Sequence, residues 1–284
     1  MRKRFVGALS IILLAVVLLA GCDIKIKLKS EKQPYVPSHP ESSLSTVDAP
    51  DTLIFKSEFE YEGKRYLCLR VNFDYCTIEF KTDRLPDIDD PHIALCVEAA
   101  FTGKYLDHFE PSNIAGPYVV KGKIYEGYKC KVNTGLLYLD GCQFPRFANN
   151  LKVDEWVEKA HEDGASLFQQ ILLIHNGKKA YNGPMVKRGD KNYYRAACRQ
   201  KGRYFCIIQS LEEVSLGDFM DALVINDINE ALYLDTGLGW NYGWYKETSD
   251  SPPEELFKLR SPYQTNWLVV RQVIIHHKTS DSLD

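Results

Sequence analysis

The run Ala231-Leu232-Tyr233-Leu234-Asp235-Thr236-Gly237-Leu238-Gly239-Trp240 constrains this chain more than any other. A short apolar stretch of this kind reads as a buried strand, and it ends abruptly on a carboxylate. A buried strand would hold Asp235 rigidly at its end. Gly237 and Gly239 leave room for backbone or a ligand where a Cβ would obstruct it. An aspartate that merely starts a turn gives a similar string. The residues upstream favour the scaffolded reading. Ser215-Leu216-Gly217-Asp218 is a capping-box pattern that opens a helix. Leu216, Phe219, Met220, Leu223 and Val224 then recur at helical spacing, and Asn226-Asp227-Ile228-Asn229 is polar turn chemistry before the strand.

The N-terminus carries the most specific motif. Arg2, Lys3 and Arg4 precede an apolar run from Val6 to Leu18, closed by Leu19-Ala20-Gly21-Cys22. This resembles the lipobox of bacterial lipoproteins, with cleavage before Cys22 and lipidation of that cysteine; the run is short for a membrane span. Residues 1–21 are therefore expected to be a signal peptide and Cys22 the lipidation site, anchoring the chain to a membrane of the bacterial envelope. Residues 22–50 are polar, with lysines followed by prolines and serines, and read as a flexible tether. Residues 51–284 remain for a single globular domain. A formal net charge of -3, with acids and bases interspersed, argues against a nucleic-acid partner.

Seven cysteines remain after Cys22: Cys68, Cys76, Cys96, Cys130, Cys142, Cys198 and Cys206. The odd count leaves at least one free thiol in an exported protein. No C-x-x-C occurs, so a zinc ribbon is not expected. Cys68, Cys198 and Cys206 lie in strand-like runs, where a buried thiol acts as a small apolar residue. Cys198 and Cys206 flank a turn at 200–203, and pairing between them depends on a register that the string does not reveal.

Between tether and acid the pattern is mostly strands. Phe55 to Phe80 reads as two or three of them, with a turn at Tyr61-Glu62-Gly63-Lys64. Ile93 to Phe101 is apolar except for Glu98, and such a carboxylate is either paired in the core or part of a site. Trp156 to Asp163 has helical periodicity. Leu167 to His175 reads as one strand entering an Asn176-Gly177 turn, and Tyr193 to Ile208 as a hairpin. The expected class is α+β, with a mixed, largely antiparallel sheet flanked by helices. No P-loop, Rossmann glycine pattern, H-E-x-x-H or G-x-S-x-G is present, and neither a cofactor nor a metal is expected.

Four segments occur in an order that resembles the bacterial phosphodiester glycosidase family, whose vertebrate relative is the mannose 6-phosphate uncovering enzyme. They are Cys96-Val97-Glu98-Ala99-Ala100-Phe101, the glutamine strand from Phe168 to Lys178, Tyr194-Arg195-Ala196-Ala197, and the stretch from Val214 to Gly237. The resemblance runs from about Leu95 to Lys246. It implies hydrolysis of a glycosyl-1-phosphodiester carrying a GlcNAc-like sugar, with a phosphorylated glycan as partner. Arg195 is the expected phosphate-binding cation, since a guanidinium matches two phosphate oxygens in a planar fork; an ion pair with an acid is its structural alternative. Asp235 would stabilise an oxocarbenium-like carbon, act as nucleophile or activate water. Gln169, Gly237, Trp240 and Asn241 are the expected substrate-binding residues. Tyr242, Trp244 and Tyr245 either stack on sugar rings or anchor a loop on the core.

The family's asparagine in the first segment is Glu98 here. As a second carboxylate it could complete an acid–base pair with Asp235. A negative charge there would instead oppose a phosphodiester, which favours a non-catalytic lipoprotein that binds a phosphoglycan. Asp235-Thr236-Gly237 also spells the aspartic-protease triplet, whose chemistry needs two such carboxylates, and no second copy occurs. Glu98, Arg195 and Asp235 must converge on one cleft for either phosphosugar reading to stand.

Overall fold

A computed structural model describes residues 52–141, 144–183, 191–201, 204–237, 242–257, 263 and 265–273. The expectations for Cys22, the tether, Cys142, Trp240 and Asn241 lie outside the described residues. The described part belongs to one compact unit, Asp48–Asp284.

Three antiparallel sheets make up the unit. The first is seven-stranded, in the order β1 (Ile54–Tyr61), β2 (Lys64–Val71), β13 (Tyr204–Ser210), β12 (Arg195–Gln200), β14 (Ile228–Leu234), β10 (Leu172–His175) and β11 (Lys178–Lys179). The second runs β16 (Glu254–Phe257), β15 (Gly243–Tyr245), β4 (Ile93–Glu98), β17 (Thr265–Gln272) and β3 (Cys76–Asp83). The third runs β6 (Lys123–Tyr125), β5 (Tyr118–Val120), β9 (Ser166–Gln170), β7 (Gly135–Leu139) and β8 (Arg146–Asn149). Among the described residues the one parallel pairing is an isolated bridge, Ala115 to Tyr128. The chain is thus a sheet-rich domain with few helices, and a single central sheet between helical layers is not what forms.

Strand alternation accounts for the core. Leu67 and Leu69 from the first sheet, Val97 and Val270 from the second, and Leu137 and Phe168 from the third belong to one buried cluster. Helix α1 (Val153–Glu162) buries Val157 and Ala160 with Leu136 and Tyr138 of the third sheet. Helix α2 (Leu216–Ile225) begins as the capping pattern predicts, with Ser215 Oγ accepting from the Asp218 N–H at 3.1 Å. Its Phe219, Met220 and Leu223 pack with Ala231 and Tyr233 of β14. Among the described residues no helix is long and apolar enough to cross a membrane.

Two local expectations change. The apolar run from Leu167 to His175 is two strands in different sheets, because the chain turns a corner at Ile171. Gln170 Oε1 accepts from the Ile171 N–H at 3.0 Å, and the Ile171 carbonyl accepts from Tyr233 N–H at 2.9 Å, so the bend keeps its backbone groups satisfied. The hairpin register is also now fixed: Cys198 stands directly opposite Cys206, and both are buried free thiols.

Candidate active site

Asp235 lies immediately past β14, as its strand-end pattern predicts, and is 4 % exposed. Its own N–H donates to the Ala99 carbonyl at 3.0 Å, which ties the end of the first sheet to the chain leaving β4. The Gly237 N–H donates to Asp235 Oδ1 at 2.9 Å, closing an Asx turn. The next residue is pinned as well. Thr236 Oγ1 donates to the Tyr193 carbonyl at 2.9 Å, and the Thr236 N–H donates to the Tyr233 hydroxyl at 3.1 Å. The acid is therefore set in a braced turn rather than on a loose loop.

Glu98 is the last residue of β4 and is fully buried. Among the described residues neither of its carboxyl oxygens has a hydrogen-bond partner. Buried polar groups of this kind are rare, because an unmade hydrogen bond costs about 1–3 kcal/mol. Burial is the main reason its pKa stands well above the usual carboxylate range; the nearby Asp235 pushes it further up, and Arg195 opposes both. Glu98 is accordingly the carboxyl that keeps its proton.

Arg195 opens β12 and is also fully buried. Its Nε donates to Gln209 Oε1 at 2.8 Å, from the residue directly opposite on β13, and its Nη1 donates to the Tyr242 carbonyl at 3.2 Å. Burial lowers its pKa to about 10, with Glu98 the largest opposing influence, so it remains a cation at neutral pH. Gly243 allows this approach: a Cβ there would stand 3.3 Å from Arg195 Nη2 and 2.9 Å from a Val97 methyl.

Asp235 is pushed up from 3.8 to about 7, chiefly by burial; N–H groups of Gly237 and Thr102 and the Arg195 charge hold it lower than burial alone would. The Arg195 charge therefore acts on two buried carboxyls, of which Asp235 titrates near neutrality and Glu98 stays neutral. That arrangement balances charge in a dry site, where two anions beside one cation would not be tolerated.

The three residues picked from sequence as catalytic thus come together, joined through Ala99 and Tyr242, but as an enclosed cluster rather than on the cleft that was expected. The substrate-binding expectations divide. Gly237 is part of the site, through its bond to Asp235. Gln169 faces a different neighbourhood: its Nε2 donates to the Pro117 carbonyl at 2.8 Å, close under Gly116. The adjacent Gln170 points the other way, as alternation on a strand requires, and its Nε2 reaches the Ala99 carbonyl at 3.4 Å. Tyr128 is a further neighbour, its phenol raised mainly by burial and also by Cys130 and Asp235. Sequence pattern singled out neither, since an amide next to an amide and a tyrosine in a turn-rich stretch carry no distinctive spacing. His175 bonds Glu230 Oε2 at 2.8 Å at the opposite end of β14 from Asp235.

A cavity of about 650 Å³ is lined by none of Glu98, Arg195 and Asp235. Tyr242, whose carbonyl holds Arg195, does line this cavity, together with Lys81, Asp83, Arg84 and Ile93.

No protein-family model matches this chain. No curated protein matches it in sequence. Among solved structures it is similar to a hypothetical protein from Synechocystis, at 12 % identity and a TM-score of 0.48, over 80 % of this chain. The match spans 64 % of that protein's length.

Proposed function

We propose that this chain is a hydrolase of the bacterial envelope, anchored through a lipidated Cys22, that cleaves a GlcNAc-like sugar from a glycosyl-1-phosphodiester. One observation carries the reading: Glu98, fully buried with both oxygens unpartnered, is close enough to Asp235 and to the buried Arg195 to feel both charges. Two carboxyls whose environments separate their protonation states suit general acid–base work. The ordered resemblance to the phosphodiester glycosidases supplies the substrate class.

In this reading Asp235, poised near neutrality, accepts a proton from water as its oxygen bonds to the anomeric carbon. The bond between that carbon and the phosphate oxygen breaks, and a phosphate monoester leaves. Glu98 donates its proton to the departing phosphate group. Because it is neutral, Glu98 does not repel the incoming phosphodiester, which removes the main objection to a glutamate in the first segment. Arg195 acts through its charge, since Nε and Nη1 already serve Gln209 and Tyr242, and it stabilises both the Asp235 carboxylate and the negative charge of the phosphate.

The glutamate at position 98, where the resembled family has asparagine, supports one second reading, a phosphoglycan-binding lipoprotein without turnover. Incubation of the chain from about Asp51 with a GlcNAc-1-phosphate diester separates the two. Sugar released by the wild type but not by Asp235→Asn or Glu98→Gln supports the hydrolase. Unchanged turnover in both variants refutes the site, and binding without release leaves the binder.

A further inference from the structure

Three cysteines from distant parts of the chain meet on one face of the first sheet. Cys206 of β13 stands directly opposite Cys198 of β12 on one side and Arg70 of β2 on the other, and Cys68 lies two residues before Arg70. All three share the face that carries Tyr66, Ile208 and Ala231 and packs against α2. The Cys206 thiol is in hydrogen-bond contact with the thiols of both Cys68 and Cys198. Cys198 Sγ donates onward to the Ala196 carbonyl at 3.6 Å. All three are free thiols.

Their access differs. Cys198 and Cys206 are buried, whereas Cys68 is half-buried and lines a cavity of about 490 Å³ with Ser57, Phe59, Arg70, Ile208 and Asn226. That volume is in the range that admits a small molecule. Ser57 stands directly opposite Cys68 on β1. The Cys206 contact and burial hold the Cys68 pKa above the ordinary thiol value, while the Ser57 hydroxyl and the Arg70 charge oppose them. One thiol is thus set in the cavity wall, with two more in line behind it. An accessible thiol with a resolving thiol at its side is what disulfide exchange requires.

The register also says where a bond can rest. Opposite residues of an antiparallel pair stand about 4.5–5.5 Å apart at Cα, within the roughly 4.4–6.8 Å that a disulfide spans. A bridge from Cys198 to Cys206 needs no change of pairing. The diagonal from Cys68 to Cys206 is longer, so a link there is the more readily displaced.

We propose that this cavity is an exchange site for a small-molecule disulfide, with Cys68 as the entry thiol and Cys198–Cys206 as the bond finally formed. The Cys68 thiolate, its proton given to water, attacks one sulfur of the small disulfide; a mixed disulfide forms and one small thiol leaves. The Cys206 thiolate attacks the Cys68 sulfur and expels the second small thiol. Cys198 then attacks the Cys206 sulfur, forming the Cys198–Cys206 bond and returning Cys68 as a thiol. Two protein thiols are oxidised, one small disulfide is reduced to two thiols, and the two protons pass from the former to the latter. The inference does not depend on the hydrolase reading.

The test incubates reduced, full-length protein with oxidised glutathione, blocks remaining thiols by alkylation, and maps the protein by non-reducing tryptic digestion and mass spectrometry. Trypsin cuts at Arg199, Lys201 and Arg203, so a Cys198–Cys206 bond joins two peptides. In the wild type that joined pair accumulates while Cys68 is recovered as an alkylated thiol. Cys206→Ser stops with one glutathione on Cys68, and Cys68→Ser slows formation of the joined pair about tenfold. A wild-type digest with no Cys198–Cys206 link, or with glutathione retained on Cys68, overturns the proposal; neither result needs a variant to fold. Formation of the link at the wild-type rate in Cys68→Ser overturns the entry role.

Discussion

Replacing Asp235 by asparagine tests the electrostatics of the site through stability alone. In the folded chain its carboxyl titrates near 7 instead of 3.8, with burial the leading cause. Between those values the folded state holds a proton that the unfolded state has released, so the wild type loses stability as pH rises through that window. Each tenfold displacement is worth 1.36 kcal/mol, which puts the whole loss at about 4 kcal/mol above pH 7. Asparagine cannot ionise and escapes this loss. It does replace one acceptor oxygen by an NH2 donor in a turn where the N–H groups of Gly237 and Thr102 bond the carboxyl, at about 1 kcal/mol. The variant is therefore expected to be about 1 kcal/mol less stable than wild type near pH 4 and about 3 kcal/mol more stable near pH 8. Denaturant unfolding of the two proteins across that range reads the difference directly, and thermal melts at the alkaline end should show the variant about 6–12 °C higher. A difference between the two proteins that stays constant within about 0.5 kcal/mol from pH 4 to pH 8 refutes the reasoning.

Arg195→Met removes the buried cation whose charge acts on Glu98 and Asp235. It should destabilise by about 3–5 kcal/mol at neutral pH and by less in acid, where both acids are protonated, as followed by chemical denaturation at both pH values. Gly127→Ala should lower stability by about 3 kcal/mol or more, because φ is +62° and a Cβ would stand 2.2 Å from the Gly116 carbonyl oxygen. Gly63→Ala is its control: φ is also positive, at +69°, yet nothing lies within 4 Å, so the melt should fall by only about 1–2 kcal/mol equivalent. Ser215→Ala should remove about 1 kcal/mol by deleting the cap of α2, measurable in the same urea series.

Much of the local structure was readable in the residues because short-range physics decides it. The Ser215 cap, the helical stripe of α2, the alternation of β2 and the positive-φ turn at Glu62 and Gly63 depend on neighbours a few positions away. The corner at Ile171 did not follow from pattern, since a continuous apolar run looks the same whether it is one strand or two in different sheets. Nor did the distribution of strands among three sheets, which depends on which distant segments pair. The pairing of Trp267 with Glu98 was hidden for a like reason, since only the register of β17 against β4, far apart in the chain, makes an ordinary core tryptophan a neighbour of that acid.

The sequence by itself determined that an acid ends a buried strand at Asp235, that an arginine sits mid-chain in a strand at 195, and that an apolar run contains Glu98. Hydrophobic period and capping chemistry are enough for that. Their convergence was decided by tertiary structure, through the Asp235 N–H to the Ala99 carbonyl and the Arg195 guanidinium to the Tyr242 carbonyl. So were the protonation states. Whether a carboxyl keeps its proton depends on how completely water is excluded and on which charges lie within a few ångströms, and neither is written in the order of residues.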